Sequence, residues 1–142
     1  MPKAIDLTRY TAVLLRQSDE GADENNPFSR EAQLKLIPYA MRLRGETTDA
    51  RIKIYDEGAG TSGQKRIDQR EHLNRLYNDI KAGVVGSVVI ILEDRLFRDK
   101  YQTQSTTFIE VLAEHNVLLF VRQDHRRYDC TKPSDRENLL KN

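Results

Sequence analysis

A run of five apolar and mostly β-branched residues, 88–92, constrains the fold of this chain more than any other feature. An uninterrupted run of this kind predicts a strand covered on both faces, because a half-exposed strand would alternate apolar with polar residues. Three further short strands are predicted over residues 11–15, 51–55 and 117–121. Strands covered on both faces need helices on either side of their sheet.

The stretches between these strands carry apolar residues at helical spacing. Helices are predicted over residues 29–43, 67–81 and 106–115. Ser29 is a suitable N-cap for the first helix, and Gly83 and Gly86 are expected to end the second. A further helix is predicted to begin at Pro133. The alternation of strands and helices predicts a three-layer α/β/α domain with a mostly parallel central sheet of four to five strands.

Length and composition exclude several protein classes. The 142 residues suit one domain. No stretch approaches the roughly 18 consecutive apolar residues that a membrane helix needs, and the N-terminus lacks the apolar run of a secretory signal. Cys130 is the single cysteine, so no disulfide framework or cysteine-based zinc site is expected and a cytoplasmic location is predicted. The formal net charge of +1 is small for a protein that binds nucleic acid through a broad basic face.

Arginines and serines cluster where the predicted strands end. In open parallel sheets, ligands bind beyond the carboxyl ends of the strands. The positions that follow the four strands in turn are Arg16 and Ser18; Asp56 and Ser62; Asp94, Arg95 and Arg98; Arg122, Arg126 and Arg127. A guanidinium matches phosphate oxygens with a planar and permanently charged fork, and a hydroxyl beside it could attack the phosphorus. Singly, each residue is more simply a turn or surface residue, so the prediction depends on their occurring together.

Other catalytic chemistry has little support in the sequence. His72, His115 and His125 belong to no recognisable triad with a serine and an aspartate. No cluster of histidine, cysteine and carboxylate has the spacing of metal ligands, so neither a metal nor another cofactor is predicted. If Ser18 is a nucleophile, arginines must activate it and stabilise the phosphorane.

A glycine-rich segment, residues 58–63, matches the dinucleotide-binding fingerprint G-x-G-x-x-G. It follows a predicted strand, as that fingerprint requires. However, the polar residues that follow it do not resemble the start of a helix packed on a sheet, and no acidic residue ends a second strand about 20 positions later. A loop that carries Ser62 towards Ser18 is the better interpretation.

Four sequence blocks, taken in order, resemble the serine recombinases, the family of resolvases, invertases and large serine integrases. The blocks are Arg16-Gln17-Ser18, Gln33 in a predicted helix, Asp56 with Ser62-Gly63 and Arg70, and Asp94-Arg95-Leu96-Phe97-Arg98. The resemblance covers roughly residues 10–140. Each block alone is weak, but the ordered set is specific. The longer loop after the first strand favours the large-integrase branch.

The resemblance implies a resolvase-like fold and a role for each matched residue. Ser18 would attack a DNA phosphodiester, forming a 5′-phosphoserine link and releasing a 3′-hydroxyl. Arg16, Arg95 and Arg98 would bind the scissile phosphate, with Arg95 assisting the leaving group. The supporting residues would be Arg70 near the phosphate and Gln33, Ser62 and Asp94 as orienting groups. No metal and no ATP would be required, since the phosphoserine bond conserves the energy for rejoining.

The resemblance also predicts domain organisation and partners. Residues 1–8 would be a tail, residues 9–132 the catalytic domain, and residues 133–142 the start of a long helix. Double-stranded DNA would be the partner, and the full-length protein would form a homodimer on each site and a tetramer at synapsis. Two alternatives stay open: a non-catalytic relative that binds DNA or oligomerises, and a nucleotide-binding domain that uses the glycine loop.

Overall fold

A five-stranded sheet forms the centre of the protein, for which a computed structural model describes residues 4–15, 30–56, 71–91, 103–123 and 125–141. The strands are β1 (Tyr10–Leu15), β2 (Ile52–Asp56), β3 (Val85–Ile90), β4 (Leu118–Val121) and β5 (Arg126–Asp129). Their spatial order is β2-β1-β3-β4-β5. The first four strands are parallel, and β5 is antiparallel to β4. The predicted mostly parallel sheet is therefore confirmed.

Helices cover both faces of the sheet. They are α1 (Arg30–Leu34), α2 (Leu36–Arg44), α3 (Glu71–Lys81), α4 (Thr103–Glu114) and α5 (Pro133–Lys141). Alternate residues of each strand face opposite sides. Ala12 and Leu14 pack with the buried residues of α3 and α4, whereas Val13 and Leu15 pack with those of α2. The three-layer architecture follows from this division of the core.

The predicted continuous helix over residues 29–43 is interrupted, because α1 ends at Leu34 and α2 starts at Leu36. Pro38 explains the break. It has no N–H to donate to the carbonyl of Leu34, and its ring would clash with that carbonyl in a continuous helix. In α2 itself Pro38 is the third residue and lies in the first turn, where proline is tolerated. The predicted cap, Ser29, lies outside the described residues.

Gly86 does not end a helix, contrary to the sequence prediction, but lies inside β3. Gly83 alone ends α3, with a left-handed φ of +79°. The register of β1 against β3 shifts at Gly86, because Tyr10 pairs with Val85 and Thr11 with Ser87. A Cβ at position 86 would lie 2.9 Å from Nε of Arg9. Glycine is therefore needed so that the arginine can cross the strand.

Two arginines fasten the amino edge of the sheet, where the parallel strands begin. Arg9 pairs with Asp6 at 2.9 Å and donates to the carbonyls of His115 and Asn116 at 3.0 and 3.3 Å. Arg44, whose side chain is fully buried, pairs with Glu46 at 2.7 Å. It also donates to Thr11 Oγ1 at 2.9 Å and to the carbonyls of Arg9 and Leu7 at 3.0 and 3.2 Å. Both arginines thus link segments that are distant in sequence.

The chain after β4 forms more structure than its charged sequence predicts. The sequence shows residues 122–128 only as a charged tail, but β5 begins at Arg126 and buries Tyr128 and Asp129. The helix predicted at Pro133 is confirmed as α5, and Asp135 in its first turn accepts a hydrogen bond from the Asp129 N–H at 2.9 Å. Among the described residues, no helix is both long and apolar enough to cross a lipid bilayer.

Candidate active site at the carboxyl edge of the sheet

The carboxyl ends of β1, β2 and β3 lie side by side at one edge of the sheet. Leu15, the last residue of β1, pairs with Asp56, the last residue of β2. On the other side of β1, Val13 pairs with Val89, so Leu15 is level with Ile91. Neighbouring strands are about 4.8 Å apart, so these three ends fall within about 10 Å of one another. Strand β1 lies between β2 and β3, so the segment that follows β1 starts between the ends of those two strands.

Seven of the eight predicted site residues lie outside the described residues: Arg16, Ser18, Ser62, Arg70, Asp94, Arg95 and Arg98. Their mutual geometry is therefore not tested, and their roles stay predictions. In the sequence, Ser18 follows the last residue of β1, Leu15, by three positions, and Asp94 follows the last residue of β3, Ile90, by four.

Helix α3 runs back from the carboxyl edge to the amino edge. Arg75 contacts Ile54 and Tyr55, whereas Asp79, one turn later, contacts Lys53 and Tyr55. The helix is thus antiparallel to β2, and its first residue, Glu71, lies at the end nearer Asp56. Arg70 immediately precedes this residue.

Gln33 is the one predicted site residue that the structure describes. It lies in α1, its side chain is fully buried, and it interacts with another group of the protein. Helix α2, which follows it, runs from the carboxyl edge, where Tyr39 contacts Arg122, to the amino edge, where Arg44 contacts Thr11. Gln33 therefore lies on the side of the carboxyl edge. Its burial suits an orienting role better than direct contact with a phosphate in solvent.

A hydrogen-bonded tyrosine holds the end of β2 against α3, which the sequence did not reveal. The Tyr55 side chain is buried and its hydroxyl donates to Asp79 Oδ2 at 2.5 Å. The Arg75 guanidinium stacks on the tyrosine ring, with Cζ 4.8 Å from the ring centroid. Burial and the neighbouring Asp79 carboxylate raise the pKa of Tyr55 above its ordinary value, so the phenol remains a hydrogen-bond donor. This contact fixes the strand residue that precedes Asp56.

Strand β4 brings more arginines to the same edge. The N–H of Arg122 donates to the Ile90 carbonyl at 2.9 Å, and that of Gln123 donates to the Ile91 carbonyl at 3.1 Å. Arg122 therefore lies beside the point from which the chain leads towards Asp94. Within the described part of the chain, no group of three or more histidine, cysteine or carboxylate residues could hold a metal ion.

Comparison with known proteins places this architecture in context. The family described as "Resolvase, N terminal domain" matches residues 11–140. The N-terminal catalytic domain of TP901-1 integrase is similar in structure, with a TM-score of 0.59, 20% identity, and coverage of 93% of this chain and 89% of that one. A resolvase family site-specific recombinase from Streptococcus pneumoniae gives a TM-score of 0.60 at 19% identity, covering 94% and 85%.

A serine recombinase from Sulfolobus solfataricus is also similar, with a TM-score of 0.54 at 18% identity over 94% of this chain and 79% of that chain. At these identities the structural matches show a shared fold. No curated protein sequence matches the chain. The family match and the structural matches agree on a resolvase-like fold.

Proposed function

The chain belongs to the resolvase family, and from that premise we propose that it cleaves and rejoins double-stranded DNA through a covalent bond to Ser18. The observation that carries this proposal is the strand register. It brings the ends of β1, β2 and β3 together, and these three ends lead into every predicted phosphate-binding segment. A serine nucleophile with no histidine needs such a convergence of cations.

In the proposed reaction, Oγ of Ser18 attacks the phosphorus of one DNA strand. The bond between phosphorus and the 3′ oxygen breaks, the serine proton passes to solvent, and the 3′ oxygen takes up a proton as it leaves. The product is a 5′-phosphoserine ester and a free 3′-hydroxyl. Attack by the 3′-hydroxyl of another strand reverses these steps. One phosphoester bond replaces another at each step, so the reaction needs no nucleoside triphosphate.

In this proposal the arginines stabilise the negative charge that develops during the reaction. Arg16, Arg95 and Arg98 bind the non-bridging oxygens, where negative charge grows in the phosphorane, and Arg70 adds to this field. Arg95 assists the departing 3′ oxygen. Asp94, Ser62 and the buried Gln33 orient these groups rather than take part in bond making. Because guanidinium groups stay protonated, they stabilise charge but do not act as the base that deprotonates Ser18.

The reaction can be tested with short duplexes of randomised sequence in which one 3′-bridging oxygen is replaced by sulfur. A thiolate leaves without protonation and rejoins poorly, so the covalent protein–DNA adduct should accumulate. Ser18→Ala should abolish the adduct, and Thr47→Ala, which removes an exposed hydroxyl at the amino edge, should not. Adduct formation by Ser18→Ala at the normal rate would refute the proposal.

The leaving-group role of Arg95 has its own test. Arg95→Ala should slow adduct formation on ordinary DNA by about 100- to 1000-fold, the typical cost of one transition-state donor. The sulfur-containing duplex should restore much of this loss, because its leaving group needs no donor. Arg51→Ala removes an arginine at the amino edge and serves as the control. Equal loss on both duplexes would assign Arg95 to phosphate binding alone.

The wider organisation is also part of the proposal. Residues 9–132 form the catalytic domain, and residues 133–142 form a helix that supports a homodimer and a synaptic tetramer. The small net charge of +1 does not suit DNA binding through a broad basic face. The reaction takes place in the cytoplasm.

A further inference from the structure

Arginines beyond β4 form a basic patch that the proposed reaction does not use. We define the β4–β5 basic patch as Arg122, His125, Arg126 and Arg127. Residues 122–127 contain three arginines and one aspartate, Asp124, which lies outside the described residues, whereas the whole chain has a formal net charge of +1. His125 and Arg126 are exposed, and Arg122 and Arg127 are partly exposed. Positive charge therefore exceeds negative charge within this segment.

Aromatic side chains hold two of these arginines in place. Cζ of Arg122 lies 5.2 Å from the centroid of the Tyr39 ring, and its Nη1 lies 3.3 Å from Nε2 of His125. The rings of Tyr39 and His125 meet edge to face, with centroids 6.3 Å apart. Cζ of Arg127 lies 6.0 Å from the centroid of the Phe120 ring. Stacking restricts a guanidinium without using all its N–H groups, so it lowers the entropy lost when a ligand binds.

The charges of these two stacked arginines are not neutralised within the described part of the chain. There, neither Arg122 nor Arg127 forms an ion pair with a carboxylate, and Nη2 of Arg127 is buried without a hydrogen-bond partner. Arg9 and Arg44 at the amino edge, by contrast, are each paired with an acidic side chain. A positioned guanidinium that has no carboxylate partner among the described residues is suited to an anionic ligand.

We propose that the β4–β5 basic patch binds the DNA sugar–phosphate backbone a few nucleotides from the cleaved bond. This inference rests on the proposed function for the identity of the anion. The backbone pairing of Arg122 with Ile90 places the patch one strand beyond β3 and two strands beyond β1. That is about 10 Å from the end of β1, or about three base-pair steps of 3.4 Å along a duplex. Continuity with the candidate active site therefore favours DNA as the occupant.

The salt dependence of DNA binding tests this assignment. All proteins would carry Ser18→Ala so that no cleavage occurs, and the ligand would be a short fluorescent duplex of random sequence. Arg122→Gln should weaken binding about two- to fivefold at low salt. The slope of log K against log salt should fall by about one, as expected for one lost phosphate contact. Arg122→Lys should keep most of the slope, because it retains the charge.

Arg51→Gln is a closely matched control. Arg51 also stacks on a tyrosine, with Cζ 5.6 Å from the centroid of the Tyr10 ring, but it lies at the amino edge of the sheet. This variant should bind with the unchanged slope. An unchanged slope in Arg122→Gln, or an equal fall in Arg51→Gln, would overturn the proposal.

Chemical protection gives a second readout that needs no substitution in the patch. Saturating duplex should protect Arg122 from an arginine-specific dicarbonyl reagent and leave Arg51 reactive. Equal reactivity of Arg122 with and without DNA would overturn the proposal even if Arg122→Gln failed to fold. These results are independent of covalent attachment by Ser18, so failure of the patch and failure of the proposed reaction can be told apart.

Discussion

The two edges of the parallel sheet use arginine in opposite ways. At the amino edge, Arg9 and Arg44 are each paired with a carboxylate and bonded to backbone carbonyls from distant segments. At the carboxyl edge, Arg122 and Arg127 stack on aromatic rings and have no carboxylate partner among the described residues. The difference indicates that the amino edge uses its positive charge to hold the fold together. At the carboxyl edge, the described part of the chain leaves the charge of Arg122 and Arg127 to the anionic ligand proposed above.

The largest expected effect of a substitution on stability is at Arg44. Arg44→Met would remove a donor from Thr11 Oγ1 at a buried position, and from the carbonyls of Leu7 and Arg9 at partly buried ones. We expect the free energy of unfolding to fall by about 2–4 kcal/mol, as measured by urea denaturation.

Arg122→Met is the matched control at the other edge, where we expect a loss of less than about 1 kcal/mol. Comparable losses at Arg44 and Arg122 would contradict the distinction between the two edges. The difference between the two variants is therefore more informative than either value alone.

A smaller loss is expected from Gly86→Ala. The new methyl group would lie 2.9 Å from Nε of Arg9, so the arginine or the strand must shift. We expect a destabilisation of about 1–3 kcal/mol, measured in the same way. Gly45→Ala introduces a methyl group with nothing within 4 Å, at a φ of +71°, and reports backbone strain alone. If Gly86→Ala cost no more than Gly45→Ala, the passage of Arg9 over the strand would not constrain position 86.

The smallest expected effect is at Tyr55, whose buried side chain is hydrogen-bonded to Asp79 close to the carboxyl edge of the sheet. Its pKa in the folded protein is raised, first by burial and then by Asp79, above the ordinary value of 10. The stability gained from the neutral phenol is thus fully present below pH 10 and is lost as the pH rises beyond it. Tyr55→Phe should cost about 1 kcal/mol at neutral pH. The variant should also lose less stability than the parent chain as alkaline pH is approached, and identical pH profiles would contradict this.

Much of the fold could be predicted because burial on both faces leaves a strong local signal. The runs that predicted strands at residues 11–15, 51–55 and 117–121 lie within one residue of β1, β2 and β4 at each end. The errors have non-local causes. The sequence predicts a helix stop at Gly86, because nothing local shows that Arg9 crosses the strand there. The sequence does not predict β5, because its pairing with β4, rather than its charged sequence, makes it a strand.

The candidate site also has one part that the sequence predicts and another that it does not. The strand ends that carry the predicted residues could be located from the sequence, and the register confirms that three of these ends are neighbours. The contact of Tyr55 with Asp79, and that of Arg122 with Tyr39, join elements far apart in the chain. No spacing rule could have revealed them, because they depend on how helices pack on the sheet.

The most direct test of the account is to locate the protein–DNA bond in the unmodified chain. The adduct formed with a sulfur-containing duplex would be digested with protease and nuclease, and the modified residue identified by mass spectrometry. The account predicts a nucleotide attached through phosphate to Ser18, three residues beyond the end of β1. A nucleotide on Ser62, on a hydroxyl of the amino edge such as Thr8, or on no residue at all would contradict it.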